Sequence, residues 1–293
     1  MIGGAIAREL SNCSLLLPTH EDLDLTDRDA VFDWFEKNKP QYVINAAAKV
    51  GGIQANIEQP VSFLLENLKI QNNVLEACHR YSVNKTLFFG SACSYPKNAP
   101  QPIREEFFNT GSPEPTNIWY ATAKIAGLKL AEAYNKQYGM NILSVMPTNS
   151  YGPGDNFDEQ VNHVIPALMK KFYLAEQNGV KNVSIWGTGA PLREFIFVND
   201  LAKIVIQLFW NHNSREIINI GSGKEITIYD LSKKIAAVVG YSGNINFDTS
   251  KPDGLPRKAL NCNRLYSILK FNYTSLDVGL EEMFKWALHV KKI

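Results

Sequence analysis

From Ser14 onward, short apolar runs alternate with longer stretches in which apolar positions recur every three or four residues. The short runs are residues 14–17, 42–48, 86–92 and 141–146, and the periodic stretches between them are 26–37, 61–81 and 117–138. Short runs rich in branched and aromatic residues predict strands, and the longer stretches predict amphipathic helices. Their alternation is that of βαβ units around a parallel sheet. Runs 42–48 and 86–90 are apolar without a period of two, as expected of central strands buried on both faces. In the helix 26–37, Thr26 reads as the N-cap, acids follow it, and Phe32, Trp34 and Phe35 form the apolar side.

Beyond Tyr151-Gly-Pro-Gly154 the texture changes to loops punctuated by glycine and proline around shorter elements. The pattern predicts helices 161–174, 200–210 and 226–239, the last capped by Thr227, strands 183–186 and 217–221, and closing helices 263–269 and 275–290. The expected fold is α/β. Residues 1–150 form a Rossmann-type, doubly wound parallel sheet, and residues 151–293 form a smaller lobe that returns some elements to the first. Met1-Ile-Gly-Gly-Ala-Ile-Ala-Arg-Glu-Leu10 reads as the first turns of a helix with glycines at its start. A dinucleotide-binding unit places a strand before that helix, so the first strand and part of the glycine-rich turn are expected to be missing. That strand is central. Each buried group left unpaired costs roughly 1–3 kcal/mol against a net stability of about 5–15 kcal/mol, so weak folding or weak cofactor binding is expected.

Composition narrows the class. The 293 residues are 45% hydrophobic and 20% charged, as in soluble globular enzymes. A net charge of +1 without a basic cluster argues against nucleic acid. Cys13, Cys78, Cys93 and Cys262 form no Cys-x-x-Cys pair and no metal-ligand spacing, which argues against zinc or a disulfide scaffold and fits a reducing cytoplasm. No apolar run approaches about 18 residues, and no basic, then apolar, leader opens the chain.

The chemistry concentrates around Tyr120-Ala-Thr-Ala-Lys124 and the strand end Phe88-Phe-Gly-Ser91-Ala-Cys93. Tyr and Lys one turn apart share a helix face, where an ammonium can lower a phenol otherwise near about 10. A Ser at a strand end can hold a carbonyl oxygen beside that phenol, so Ser91, Tyr120 and Lys124 suit reduction of a ketone. The spacing alone also fits an exposed helical pair.

Longer runs are more specific: Ala46-Ala-Ala-Lys-Val-Gly-Gly-Ile53, Gly90-Ser-Ala-Cys-Ser-Tyr-Pro-Lys97, Glu114-Pro-Thr-Asn117, Ser144-Val-Met-Pro-Thr-Asn149, Arg193-Glu-Phe195 and Pro256-Arg-Lys258. With the relay, they make the chain resemble the extended short-chain dehydrogenase/reductase family over nearly its whole length. The resemblance implies epimerisation of GDP-4-keto-6-deoxy-D-mannose at C3 and C5, then reduction of the C4 ketone by NADPH to GDP-L-fucose. Ser91, Tyr120 and Lys124 would act at the ketone, with Cys93 and His163 as the acid/base pair. Cys93 alone could equally be a small core residue, and His163 a helix-capping one.

For the cofactor, the resemblance points to Gly3 in the phosphate turn and to His20, Asp24 and Leu25 near the second strand's end. It adds Ala47 and Ala48, the run Phe89-Gly90-Ser91-Ala92 with Tyr120 and Lys124, and Pro147, Thr148, Asn149 and Ser150 with His163. NADP is the better match, although His20 stands where a basic residue is expected, and NAD stays open. Lys171, Trp186, Arg193, Asp253 and Arg257 are implied for the GDP moiety, and no metal. Helices 61–81 and 117–138 are implied to pair across a homodimer. Two alternatives remain: an impaired remnant or non-catalytic homologue, and another sugar-nucleotide epimerase or 4,6-dehydratase. The dehydratases carry an acidic pair where this chain reads Ala92-Cys-Ser-Tyr95.

Overall fold

Four short parallel strands organise the first half of the chain in the computed structural model, which describes residues 1–158, 163–251 and 253–293. Through residue 151 the elements are α1 (Ile2–Glu9), α2 (Arg28–Asn38), β1 (Tyr42–Asn45), α3 (Ile53–Glu58), α4 (Pro60–Arg80), β2 (Lys85–Phe89), α5 (Ile118–Tyr138), β3 (Ile142–Pro147) and β4 (Asn149–Tyr151). Then follow α6 (Val164–Gln177), β5 (Asn182–Trp186), β6 (Leu192–Phe197), α7 (Val198–Asn211), β7 (Ile218–Ile220), β8 (Glu225–Thr227), α8 (Ile228–Val239), β9 (Asn244–Asp248), β10 (Arg257–Lys258), α9 (Asn263–Ile268) and α10 (Leu276–His289). Val161 and Asn162 of the expected helix 161–174, and Pro252 of the loop 251–258, lie outside the described residues.

The main sheet has the order β1-β2-β3-β7, parallel throughout, with Asn45 opposite Phe88, Phe89 opposite Val145 and Pro147 opposite Ile220. β2 and β3 are buried almost end to end, which fits their unbroken apolar sequence. Helices α4 and α5 pack together beside them. Gly127 of α5 allows the close approach, because a side chain there would collide with Phe88 and Gln71. Asn135 ties the end of α5 to the start of β3 by accepting from Ile142 N (2.9 Å) and donating to Ile142 O (2.8 Å). Elsewhere in this core, Ala5 and Ile6 of α1 pack with Ile204, Val205 and Leu208 of α7.

The remaining strands build a second region. β6 lies between β10 and β4 with parallel partners and pairs β8 antiparallel, while β5 and β9 form a separate parallel pair. Met169 and Phe172 of α6, Leu231 and Ile235 of α8 and Leu280 and Met283 of α10 fill its core. Thr227 caps α8 as expected, its hydroxyl accepting from Asp230 N at 3.0 Å.

Several expectations change. Residues 14–17 form no strand, since the backbone there has no ladder partner among the described residues, and Leu16 and Leu17 are 49% and 65% exposed. In consequence β1 is an edge strand rather than a central one: among the described residues it pairs with β2 alone, and Tyr42 is 45% exposed. The cap of α2 is Asp27 rather than Thr26, its carboxylate accepting from Asp29 N and Ala30 N. Phe32 and Phe35 are buried and Trp34 half-buried, as their spacing predicts. No helix among the described residues is long and apolar enough to cross a membrane.

Candidate active site

The carboxyl end of β2 delivers the expected relay. After Phe89 the chain passes through Gly90, where any side chain would collide with Met146 and Leu128, and reaches Ser91. Ser91 caps a 3-10 turn over Ala92–Ser94, its Oγ accepting from Cys93 N at 3.2 Å, so Ser91 and Cys93 are fixed relative to each other. Tyr120 enters from the first turn of α5 and is hydrogen-bonded to Ser91. One turn on, Lys124 is buried, its Nζ donating to Phe89 O at 2.9 Å and lying 6.0 Å from the Tyr120 ring centroid.

The electrostatics differ from the expected lowered phenol. Burial, with the adjacent Cys93 sulfur adding to it, raises the Tyr120 hydroxyl above its ordinary value against the opposing hydrogen bond from Ser91. The same burial pushes the Lys124 ammonium down to about 8. Desolvation therefore outweighs any help the phenol gains from the ammonium. Tyr120 keeps its proton at neutral pH, which is the form that can donate to a ketone oxygen.

Two donors converge on the Cys93 sulfur: Asn117 Nδ2 at 3.3 Å and Lys258 Nζ at 3.4 Å. His163 sits at the N-cap of α6 with an exposed side chain that makes no capping bond. Its charge acts on buried Asp155, whose carboxyl is raised by burial despite the N–H of Asn156 and His163.

The residues expected at the cofactor follow successive strand ends, where an open α/β sheet binds ligands. Ala47 is exposed and Ala48 half-buried after β1, Phe89 to Ala92 follow β2, and Pro147 to Ser150 follow β3. Thr148 is buried, its hydroxyl donating to Glu194 O at 3.2 Å, while Asn149 and Ser150 begin β4. Gly3 faces Ala46 across a gap that a methyl group would just fill. On the far side, His20 and Asp24 are exposed, and Leu25 O accepts from Asn73 Nδ2 at 2.9 Å. The Asp24 carboxylate, which accepts from Thr26 N, is held low first by that bond and further by His20 and by Lys69 of α4, a cation the sequence reading did not place there.

The residues expected at the GDP moiety lie on α6, β5, β6 and the segment that leads through β10. Lys171 Nζ donates to Ser184 O on β5 at 2.5 Å, and Trp186 ends that strand with its ring 70% exposed and Lys251 Nζ 5.7 Å from its centroid. Asp253 accepts from Thr188 N (2.9 Å) and Thr188 Oγ1 (2.6 Å), bonds that hold its carboxyl low. Arg193 donates to Leu255 O at 2.6 Å, and burial lowers its guanidinium against the attraction of Asp253. Arg257, opposite Leu192 in the β10–β6 ladder, is gripped by Glu225 through two bonds of 2.6 Å.

With the site described, the chain can be placed among known proteins. A sequence profile described as the NAD dependent epimerase/dehydratase family matches residues 3–221. The chain belongs to this family. It is 48% identical to GDP-L-fucose synthase 1 of Arabidopsis thaliana over 291 residues, covering 98% of this chain and 90% of that one. The GDP-L-fucose synthase of Escherichia coli K12 is 45% identical, covering 98% of this chain and 94% of that one. Among solved structures, a GDP-L-fucose synthetase from Naegleria fowleri bound to NADP superposes with a TM-score of 0.92 at 33% identity, covering 99% of this chain and 92% of that one.

Within this epimerase/dehydratase fold, Asn117 had no expected role, and Lys258, expected with the loop 251–258 to supply a cation to the GDP diphosphate, instead contacts the Cys93 sulfur. Glu194, likewise without an expected role, is fully buried and fastens β6 to its surroundings, accepting from Gly223 N (2.7 Å) and Leu260 N (2.8 Å). In the β10 ladder consecutive side chains leave opposite faces, so Arg257 joins the pair with Glu225 and Lys258 does not.

Proposed function

We propose that the chain catalyses the GDP-L-fucose synthase reaction: 3,5-epimerisation of GDP-4-keto-6-deoxy-D-mannose, then NADPH-dependent reduction of its C4 ketone. The observation that carries this reading is the convergence of Ser91, Cys93 and Tyr120 at the end of one buried strand. Full-length similarity to GDP-L-fucose synthases supports it, and no observation favours a non-catalytic homologue.

The chemistry follows from the groups present. Both epimerised carbons flank the ketone, so their protons become acidic once the developing enolate oxygen is stabilised. Ser91 and protonated Tyr120 are the donors for that oxygen. Cys93 removes a proton from one face of the sugar, and His163 serves the other face. In the second stage Tyr120 gives its proton to the C4 oxygen. The residues at the ends of β1, β2 and β3 fit a nicotinamide cofactor, since Ala47, Ala48 and Gly90 keep side-chain bulk away and Tyr120 and Lys124 supply donors. When bound, NADPH supplies the hydride. Lys171, Trp186, Arg193, Asp253 and Arg257 are assigned to the GDP, Arg257 being paired with Glu225 in this structure.

We further place the protein in the cytoplasm, where reduced cysteines and NADPH coexist, as a homodimer through α4 and α5. Exposed Val61 (71%), Leu65 (47%) and Trp119 (44%) supply apolar surface on those helices. The test is direct. Purified protein given GDP-4-keto-6-deoxy-D-mannose should consume NADPH and release GDP-L-fucose, and an absence of turnover with that substrate overturns the assignment.

A further inference from the structure

Lys258 belongs to β10, whose two residues pair with Leu192 and Arg193 of β6. That ladder fixes the face each side chain takes. Arg257 turns to Glu225, and Lys258 turns the other way, to Cys93 Sγ at 3.4 Å. Among the described residues no carboxylate pairs with this ammonium. Asn117 Nδ2 approaches the same sulfur at 3.3 Å, from the 3-10 turn that leads into α5. An ammonium and an amide NH₂ can only donate, so the sulfur is held as an acceptor from two sides. The Tyr120 phenol lies close enough to interact electrostatically with it.

We propose that Lys258 is a positioning residue for Cys93, its ammonium holding the sulfur as the thiolate that accepts a proton from the sugar carbon. This rests on the assignment of Cys93 as the epimerisation base. In that step the C–H bond breaks, the proton passes to sulfur and the electron pair becomes the enolate at Ser91 and Tyr120. The carbon takes a proton on its other face from the second acid, and the new S–H returns its proton to solvent. The pair links the two regions of the fold, because Lys258 comes from the ladder that also carries Arg193.

The test reads the sulfur directly. Iodoacetamide labelling of the peptide that contains Cys93 is followed by mass spectrometry from pH 5.5 to 9.5 in the parent, Lys258→Met, Lys258→Gln and Lys258→Arg, as folded proteins without substrate. Loss of a cation in contact with a thiolate should lower the labelling rate at pH 7 about tenfold in the Met and Gln variants, with Arg restoring most of it. With substrate, solvent deuterium entry at C3 and C5 should fall by a similar factor, while NADPH oxidation of an already epimerised sugar changes less. Superposable labelling profiles in the parent, Met and Gln forms overturn the role of Lys258. Failure of the parent to turn over the keto sugar instead overturns the assigned reaction and leaves the labelling result to decide the Lys258–Cys93 contact.

Discussion

β1 and β2 are neighbours in one sheet and carry similar apolar sequences, yet they meet different fates. β2 has a partner on each side and every residue buried, and its end holds Ser91 and Cys93 in place. β1 has one partner, and Tyr42 at its start is 45% exposed. Beyond it, residues 14–17 run without a strand partner among the described residues, and the segment with His20, Asp24 and Leu25 is held by local turns and by one bond from Asn73 of α4 to Leu25 O. An apolar run becomes a buried strand only when neighbours complete its ladder. Ser91, Tyr120 and Lys124, proposed to act at the ketone, therefore sit on the core, and the residues expected to meet the far end of the cofactor sit on the open edge.

The largest effect should come from breaking the buried half. Tyr120→Phe keeps the ring and deletes the proton donor, so reduction of the keto sugar should slow by about 10²–10⁴-fold, the usual contribution of one general acid. Steady-state NADPH oxidation measures it, and a loss below tenfold would show that another group protonates the C4 oxygen. Folding should hardly change, because the half-buried ring stays.

Lys124→Met sharpens the same comparison through stability. The ammonium is lowered to about 8 inside the protein, whereas an unfolded lysine titrates near about 10.4. Between those values the unfolded chain binds more protons, so stability rises with pH, and the cost of burying the charge is fully present below about 8. At about 1.4 kcal/mol per unit the cost is at most on the order of 3 kcal/mol, and losing the bond to Phe89 O takes back about 1 kcal/mol. The variant should lose reduction while its urea midpoint at pH 7 exceeds the parent's, the gap narrowing toward pH 10. An unchanged or lower midpoint at pH 7 would mean that the buried ammonium is not a strain on the fold.

Legibility from sequence divides along similar lines. β2, β3, α4 and α5 were readable because their partners impose unbroken apolar runs or long helical periods. β6, β8, β9 and β10 were not. Leu192-Arg-Glu-Phe and Arg257-Lys258 look like loop composition, and only pairing with one another makes them strands. The relay of Ser91, Tyr120 and Lys124 was readable because helix spacing and strand-end position are local. The contact of Lys258 with Cys93 spans 165 residues and depends on a two-residue ladder, so no local pattern announces it. Likewise the raised Tyr120 phenol follows from burial, which the Tyr-to-Lys spacing does not encode.

The smallest effect should come from the open edge, and that makes it the sharpest check on the comparison. Leu17 is 65% exposed, and neighbouring Leu16 is 49% exposed. Replacing an exposed leucine removes little burial, so Leu17→Ser should change the unfolding free energy from urea titration by no more than about 0.5 kcal/mol, as for surface positions generally. A core leucine at a fully paired strand would cost several times more, about 2–5 kcal/mol on truncation. If Leu17→Ser instead lost more than about 1 kcal/mol, burial would be the only account of so large a change at an apolar side chain. Leu17 would then be covered in solution, and the contrast between the two halves of the site would collapse.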